Sequence, residues 1–560
     1  MRNAEVAHIF YEVADILELQ RVKFKPQAYR KAARSIESLE EDIETIKDFT
    51  LIPGVGEAIA KKITEIIETG TLQYLEKLRK EIQGGMEQLL LLPEVGPKTA
   101  QVLASHGITS VEELEKALNQ HNLQKMKGFG PKTEETLKRS IQLYKFQKER
   151  TLLGKALPLC WKLKEALQPS SDTVVVAGSV RRWKETVGDI DVLAISSQPE
   201  SVIETFCNLP LVHEIVEKGS TKSSVILQGG IQSDLRVLPQ ESFGSALQYF
   251  TGSKEHNIKL RKIALRKGFK LSEYGLFDRK SGKRVAGDSE EEIYRLLGLA
   301  FIPPELREDQ GEIEAAQTDR LPHLVDMSEI KGDFHVHTTW SDGRDTVEAM
   351  TLKAKELHYH YIGITDHGQS LKIAHGLTEE RLLNQNAAIR ELNDRIESIT
   401  ILSGVEANIL SDGSLDYPDS VLEQLDFVIA SVHSRVKSSR DVTDRIVTAM
   451  EHPLVTIVGH PTGRIIGRRD PLTFDLDKIF ETAVETDTAL EVNCYPDRLD
   501  LKDTHVRKAI NYGVTLALGT DAHSIHDLNF MELGVRTARR GWAEPENILN
   551  TVTVNNFHLT

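Results

Sequence analysis

The sequence predicts a multidomain α/β protein with a helical N-terminal region, a central domain holding a mixed sheet, and a C-terminal distorted (β/α) barrel. Three observations predict it. At 560 residues the chain is too long for one core. Up to about residue 150, apolar residues recur at three and four positions, the helical period. From Gly332 onward, short apolar strands alternate with helical stretches, as strand-then-helix barrels require.

Within the helical region three turns resemble one another: Leu51–Gly56 (LIPGVG), Leu91–Gly96 (LLPEVG) and Lys125–Gly130 (KMKGFG). A Gly-x-Gly corner between two helices exposes backbone N–H groups at the start of the second helix. Glycine lets a phosphate come close without any reading of bases. Gly54, Gly56, Gly96, Gly128 and Gly130 are therefore the candidate DNA contacts, and Glu94 stands where the other turns have glycine. A corner that merely turns the chain explains one copy, but three copies favour non-specific DNA binding.

Net charge seems to oppose a nucleic-acid partner, since it is -15 over the whole chain. Its distribution removes the objection. Residues 1–320 carry 46 Lys+Arg against 47 Asp+Glu, and residues 321–560 carry 23 against 37. Phosphate contacts depend on local clusters such as Arg261–Lys270.

The central domain opens with β-branched runs at Thr173–Ala177 and Ile190–Ile195. Ser223–Leu227 and Gln232–Leu238 would pair as a hairpin across Gly229-Gly230. Asp189 and Asp191 are two apart on a strand, so both side chains share a face. Asp234, on the neighbouring hairpin, supplies a third carboxylate. Such a trio suits one or two divalent cations for in-line phosphoryl displacement by a 3′-hydroxyl. A lone aspartate pair is usually a solvated strand end. The upstream Gly178-Ser179, the basic pair Arg181-Arg182 and the third aspartate outweigh that reading.

These blocks resemble family X DNA polymerases of the DNA polymerase beta type. The resemblance covers residues 1–300 through GSVRR at 178–182, GDIDV at 188–192, Asp234-Leu-Arg236, YFTGS at 249–253, NIKLR at 257–261 and GFKLSEY at 268–274. It implies catalytic Asp189, Asp191 and Asp234 with Mg²⁺ or Mn²⁺. It also implies Ser179 and Arg182 on a dNTP triphosphate with Gly188 beside them, Tyr249, Phe250 and Gly252 around the sugar, and Asn257 and Arg261 at the minor-groove edge of the new pair. In the N-terminal helices it implies a lyase site of Lys62, supported by Lys25 and Tyr29. Ala58 replaces a position that is basic in the family, and a phosphate contact explains Lys62 equally well.

The barrel region carries a second set. Asp333-Phe-His335-Val-His337 alternates polar and apolar residues, which puts both histidines on one face. Asp342, Asp366, His367, Glu406, His433, His460, Asp521 and His523 follow, most at the end of an apolar run. This exceeds the three or four ligands of one zinc site and suits a cluster of two or three Zn²⁺, Mn²⁺ or Fe²⁺ ions. Metal ions there would activate water for attack on a phosphodiester. Asp366 suits orientation of a ligand from behind, and Arg435, Arg464 and Arg498 suit a grip on substrate phosphate.

This half resembles the PHP (polymerase and histidinol phosphatase) family of phosphoesterases, through His335, His337, Asp342, His367, Glu406, His433, His460, Asp521 and His523. The two resemblances imply a domain order: 1–85 lyase-like helix-hairpin-helix; 86–150 helix-hairpin-helix, fingers-like; 151–240 nucleotidyltransferase-type palm; 241–315 thumb-like; 316–330 linker; 331–560 PHP. The linker region begins earlier in composition, with Pro303-Pro304 and the acidic, Gln/Ala-rich run 307–319.

The expected function is a gap-filling DNA polymerase of base excision repair, with a metal-dependent 3′–5′ exonuclease and an AP endonuclease in the PHP domain. Gapped or primed double-stranded DNA and dNTPs are the expected partners of a monomer. A PHP phosphatase of a small metabolite and a non-catalytic DNA-end scaffold are the rivals. The first needs neither DNA-binding turns nor three aspartates, and the second needs no complete ligand sets. Three scattered cysteines, an amphipathic N-terminal helix in place of a leader, and no run near the ~20 apolar residues of a membrane span point to the cytoplasm, at the nucleoid.

Overall fold

The computed structural model describes residues 2–19, 22, 25–37, 43, 46, 48–69, 72–81, 89, 92, 95–120, 122–123, 129–433 and 441–553. The chain divides into two compact units, Met1–Glu149 and Arg150–Thr560.

The first unit is helical and holds two separate apolar cores. One runs from Val6 to Leu78 and packs Phe10, Ile36 and Ile63. The other runs from Leu89 to Ile141 around Leu103, Leu114 and Leu118. In each of the three turns the last glycine immediately precedes a helix: Gly56 before Glu57–Thr69, Gly96 before Pro97–Ser105, and Gly130 before Pro131–Glu149. Pro at the first helical position fits, because its missing N–H has no partner there anyway.

In the second unit a two-stranded ribbon, β1 (Thr151–Leu152) with β3 (Thr186–Val187), leads into a five-stranded sheet. That sheet comprises β2 (Thr173–Val176), β4 (Asp189–Ile195), β5 (Val212–Lys218), β6 (Lys222–Leu227) and β7 (Gln232–Leu238), in spatial order β2-β4-β7-β6-β5. Only β4 and β7 are parallel, so the sheet is mixed as expected. Their register sets Asp191 directly beside Asp234. A small antiparallel sheet follows: β8 (Phe269–Ser272), β9 (Gly275–Asp278) and β10 (Arg284–Ala286).

The last region is a parallel barrel of seven strands in sequential order: β11 (Gly332–Val336), β12 (Tyr361–Ile364), β13 (Thr400–Asn408), β14 (Phe427–Ser431), β15 (Ile457–Val458), β16 (Ala489–Asn493) and β17 (Leu516–Gly519). A parallel bridge between Val336 and Ala522 brings the first strand against the last. Alternate residues face opposite ways. Leu490 and Val492 join the main core beneath the outer helices, and Ala489 joins a second cluster with Phe334, Tyr361 and Phe427 inside the barrel. Glu491 and Asn493, on the same face as Ala489, reach the mouth where the histidines lie.

The stretch expected as a linker is packed instead. Arg307 and Glu312 are fully buried, and Leu306, Ile313, Ala316 and Leu324 share a core with Trp542 of the barrel region. Its acidic side chains are paired across the seam: Glu305 with Arg536 and Arg539, and Glu308 with Arg540. Among the described residues, no helix is long and apolar enough to cross a membrane.

Candidate active sites

The first site lies at the start of β4. Carboxylate oxygens of Asp189, Asp191 and Asp234 come within 4.8 Å of one another. Gln232 steadies Asp234 through its amide nitrogen at 3.1 Å. Burial, with Asp189 and Asp234 as like charges, pushes Asp191 up to about 7. Burial and Asp234 also raise Asp189. Three carboxylates that repel one another in a half-buried cleft fit divalent cations, which remove that repulsion.

Gly178 opens the short helix Gly178–Arg181 after β2 with φ +60, and a Cβ there would sit 2.2 Å from Asp191 Oδ2. Glycine is therefore required both for the backbone and for the carboxylate's position. A cleft of about 520 Å³ opens over Asp189 and Asp191. Ser179, Arg182, Gly188, Tyr249, Phe250, Gly252, Asn257 and Arg261, the residues expected around a nucleotide, all line it. Arg150, Lys184 and Lys254 line it too, and sequence reasoning missed them. Arg150 donates to Thr186 Oγ1 at 2.9 Å and lowers Asp189 electrostatically. Each of the three is one cation among many, with no spacing to mark it.

Arg182 donates from Nε to Glu308 at 3.0 Å and from Nη1 to the Thr251 carbonyl. Its guanidinium packs over Gly252, where a Cβ would fall 2.9 Å from Nη1. Tyr249 and Phe250 pack edge to face at 5.1 Å, and Arg236 lies 4.6 Å over the Phe250 ring. Asn257 is buried, donating to the Tyr249 carbonyl at 2.7 Å and accepting from Gln248 at 2.7 Å.

In the first unit, Lys62 Nζ lies 5.0 Å from the centre of the Tyr74 ring, which stacks on Tyr29 at 6.3 Å. Burial raises the Tyr29 hydroxyl to about 12. Lys25 is exposed at the start of helix Lys25–Glu37. Gly54 has φ +86, the left-handed region that glycine suits. Gly128 and Glu94 lie outside the described residues.

The second site fills the mouth of the barrel. Glu406, fully buried at the end of β13, is its centre. His367 Nδ1 approaches it at 2.6 Å, His460 Nε2 at 2.9 Å, His433 Nε2 at 3.1 Å and His335 Nε2 at 3.6 Å. Asp521 lies 3.2 Å from His337 Nε2, and Asp342 faces His367 at 3.5 Å and His523 at 3.4 Å. All nine predicted ligands are thus brought together. Donor atoms of seven of them form three overlapping groups, each spanning no more than 4.8 Å: His337, Asp342, His367 and His523; His335, His337 and Glu406; His367, Glu406 and His433.

The donor set fits metal ions on independent grounds. Among the described residues, His335 Nε2, both nitrogens of His337 and His460 Nδ1 are buried without a hydrogen-bond partner. Such atoms are costly to bury, and ligation satisfies them. Burial, with His367 and His523 nearby, lowers His337 to about 3, so it is a neutral imidazole as a ligand must be. Burial opposes charge on His335, yet Glu491, Glu406 and Asp521 outweigh it and raise its pKa well above the ordinary range.

Behind the ligands stands a supporting layer that the sequence did not reveal. Glu491 accepts from His335 Nδ1 at 2.6 Å and also takes the backbone N–H of His460. Asn408 accepts from His433 Nδ1 at 2.8 Å and is itself held by Asp416 at 2.7 Å. Asp366, expected behind a ligand, instead accepts from the N–H groups of Thr338 and Ser341 at 2.8 and 3.1 Å. It shapes the loop between His337 and Asp342. Arg498 pairs with Asp521 at 3.3 Å. Arg464, expected on phosphate, is buried and pairs with Glu185 at 2.7 Å. Arg435 lies outside the described residues.

Comparison with known proteins finds four family models along the chain. Residues 1–72 match a helix-hairpin-helix domain, 86–142 a SAM-like helix-hairpin-helix tandem, 246–308 the DNA polymerase beta thumb and 333–493 the PHP domain. The DNA polymerase/3′-5′ exonuclease PolX of Bacillus subtilis (strain 168) is 40% identical over 557 residues, covering 98% of this chain and 97% of its own. DNA polymerase lambda of Rattus norvegicus is 27% identical over 337 residues, 55% of this chain and 56% of its own. A probable phosphatase of Thermoanaerobacter sp. (strain X514) is 29% identical over 231 residues, 39% of this chain and 89% of its own.

Proposed function

The chain belongs to the family X DNA polymerases that carry a C-terminal PHP domain, and from that premise we propose a division of its two activities between the two carboxylate-rich sites. It is a DNA polymerase with 3′–5′ exonuclease activity. The polymerase reaction is assigned to Asp189, Asp191 and Asp234, and the exonuclease to the barrel mouth around Glu406. The observation that carries the assignment is the pair of separate ligand sets: one group of three aspartates, and three overlapping groups at the barrel mouth, with donor atoms within 4.8 Å in each group.

Both families are metal-dependent. Mg²⁺ or Mn²⁺ suits the three aspartates, and two or three Zn²⁺, Mn²⁺ or Fe²⁺ ions suit the histidine-rich mouth. When bound, such ions supply a stronger oxygen nucleophile and neutralise phosphate charge at either centre. The protein does the rest. Ser179 and Arg182 hold the triphosphate, with the fork of Arg182 matched to phosphate oxygens. Gly252, which ends helix Phe243–Thr251, admits the sugar beside Tyr249 and Phe250, and Asn257 and Arg261 face the new base pair. In the barrel, Asp342 and His523 flank the scissile phosphate, and Arg498 steadies Asp521.

DNA and dNTPs are the substrates. Gapped or primed duplexes suit the three helix-hairpin-helix turns, whose glycines would take backbone phosphates. Filling short gaps in base excision repair suits a polymerase joined to a nuclease that trims 3′ ends. The same barrel suits an AP endonuclease, and Lys62 beside Tyr74 suits a lyase. The reading is of a monomer working on chromosomal DNA in the cytoplasm. A metabolite phosphatase matches only the barrel, and a scaffold needs no complete ligand sets.

Extension and degradation of a gapped duplex in Mg²⁺ or Mn²⁺ tests the division. Asp191→Ala is expected to abolish synthesis and spare degradation, and His337→Ala to do the reverse. Loss of both activities in both variants would refute it.

A further inference from the structure

The nucleotide cleft and the barrel meet at Arg182, and one barrel residue holds both its backbone and its counter-charge. Arg540, at the end of helix Met531–Arg540, is almost fully buried. Its Nη1 donates to the Arg182 carbonyl at 2.6 Å and contacts Glu308 Oε1 at 3.1 Å. Its Nε and Nη2 donate to Asp503 at 3.0 and 2.7 Å, which fixes the guanidinium from the barrel side. Glu308 is shared three ways, between Arg540, Arg182 Nε at 3.0 Å and, more distantly, Lys184 at 3.9 Å.

We infer that Arg540 is a positioning residue for the polymerase reaction, acting through Glu308 and the Arg182 backbone. The inference rests on the reading that Arg182 holds the triphosphate. Glu308 and a triphosphate are both anions, and they compete for one guanidinium. Arg540 draws part of the Glu308 charge toward the barrel, so Glu308 holds Arg182 less tightly and Arg182 can turn to phosphate. Without Arg540, Glu308 keeps only Arg182 and the more distant Lys184, and its hold on Arg182 tightens. The Arg182 carbonyl also loses its donor. A half-buried charge pair of this kind changes affinity far more than an exposed one.

Single-nucleotide extension of a primed duplex by the full-length chain, with KM and kcat separated, tests this. Arg540→Gln is expected to raise the dNTP KM about fivefold with kcat within about twofold. Its 3′–5′ exonuclease on a single-stranded end stays within about twofold of the parent, which reports that the barrel is folded. Glu308→Gln alone lowers the dNTP KM, because the competing anion is gone. The double variant Arg540→Gln/Glu308→Gln returns KM to within about twofold of the parent. A merely structural role for Arg540 gives a double variant at least as impaired as Arg540→Gln, and that result overturns the inference. So does a rise in KM for Glu308→Gln, a variant that keeps shape and does not depend on Arg540→Gln folding. Arg182→Ala separates the two levels. If it leaves the dNTP KM unchanged, the role of Arg182 itself fails. If it raises KM while Arg540→Gln does not, only the inference about Arg540 fails.

Discussion

Glu491 and His335 share a hydrogen bond of 2.6 Å between Oε1 and Nδ1, which leaves His335 Nε2 pointing at Glu406 and Asp521. The other Glu491 oxygen holds the backbone N–H of His460, so one carboxylate orients two ligands. Carboxylates behind metal-bound histidines set the tautomer and ring direction, and their loss costs about 10–100-fold in metal affinity. Glu491→Gln is therefore expected to weaken metal retention by the barrel in that range, read as ion content after dialysis. Exonuclease activity should fall in parallel and return at high metal concentration, while synthesis is unchanged. Full metal content with lost exonuclease would mean that Glu491 acts on substrate and not on the ligands.

Gly178 sets up a complementary test at the other centre. Its φ of +60 and the 2.2 Å approach of Asp191 Oδ2 leave no room for a methyl group. Gly178→Ala must strain the backbone by about 1–2 kcal/mol and displace Asp191. A shift of about 1 Å in a catalytic group costs on the order of 100-fold. The expected result is a polymerase kcat lowered about 100-fold or more, with exonuclease unaffected. Near-parent synthesis would show that Asp191 does not need its present position.

Much of this was legible because both sites rest on short-range spacing. Asp189 and Asp191 are two apart on one strand, and the barrel ligands close a series of apolar strand runs. Periodicity puts the aspartates on one face and the histidines at strand ends, and the family resemblance marks them as sites. Residues that act across the fold left no such mark. Glu491 is one of many strand residues until β16 places it behind His335. Arg464 has the same neighbours in sequence whether it grips phosphate or, as here, Glu185. The run 303–319 failed for a physical reason: an interface built from paired charges has the composition of a solvated tether. Glu305, Arg307 and Glu312 are buried only because arginines, tyrosine and histidine meet them there.

The helix-hairpin-helix turns permit a test free of folding effects. A Cβ added at Gly56, Gly96 or Gly130 meets nothing within 4 Å among the described residues, and none of the three has the positive φ that Gly54 shows. Alanine at these positions should leave the Tm within about 2 °C, as surface changes usually do. If phosphates approach the exposed N–H groups, the added methyls stand in their way. The triple variant Gly56→Ala/Gly96→Ala/Gly130→Ala is expected to bind gapped duplex about tenfold more weakly, uniformly across sequences. Unchanged affinity in a filter-binding titration at fixed salt would assign the turns to helix packing alone.

The seam between thumb and barrel should be sensitive to acid. Glu305 is buried between Arg536 and Arg539, each at 2.8 Å. Burial would raise its pKa, but the two arginines outweigh it and hold the carboxylate below the ordinary glutamate range. A group depressed in the fold stabilises it fully above its unfolded pKa, about 4.3, and loses that contribution as pH falls through the lower folded value. Glu305→Gln is therefore expected to cost about 3 kcal/mol at pH 7, because it leaves two half-buried guanidinium groups without the buried carboxylate that pairs them. The gap between variant and parent should close as pH drops below about 4. Tryptophan fluorescence can follow this, since Trp183 lies 4.8 Å under Arg536 and Trp542 packs in the thumb core. A gap that stays constant down to pH 3 would mean that Glu305 contributes by shape and not by charge.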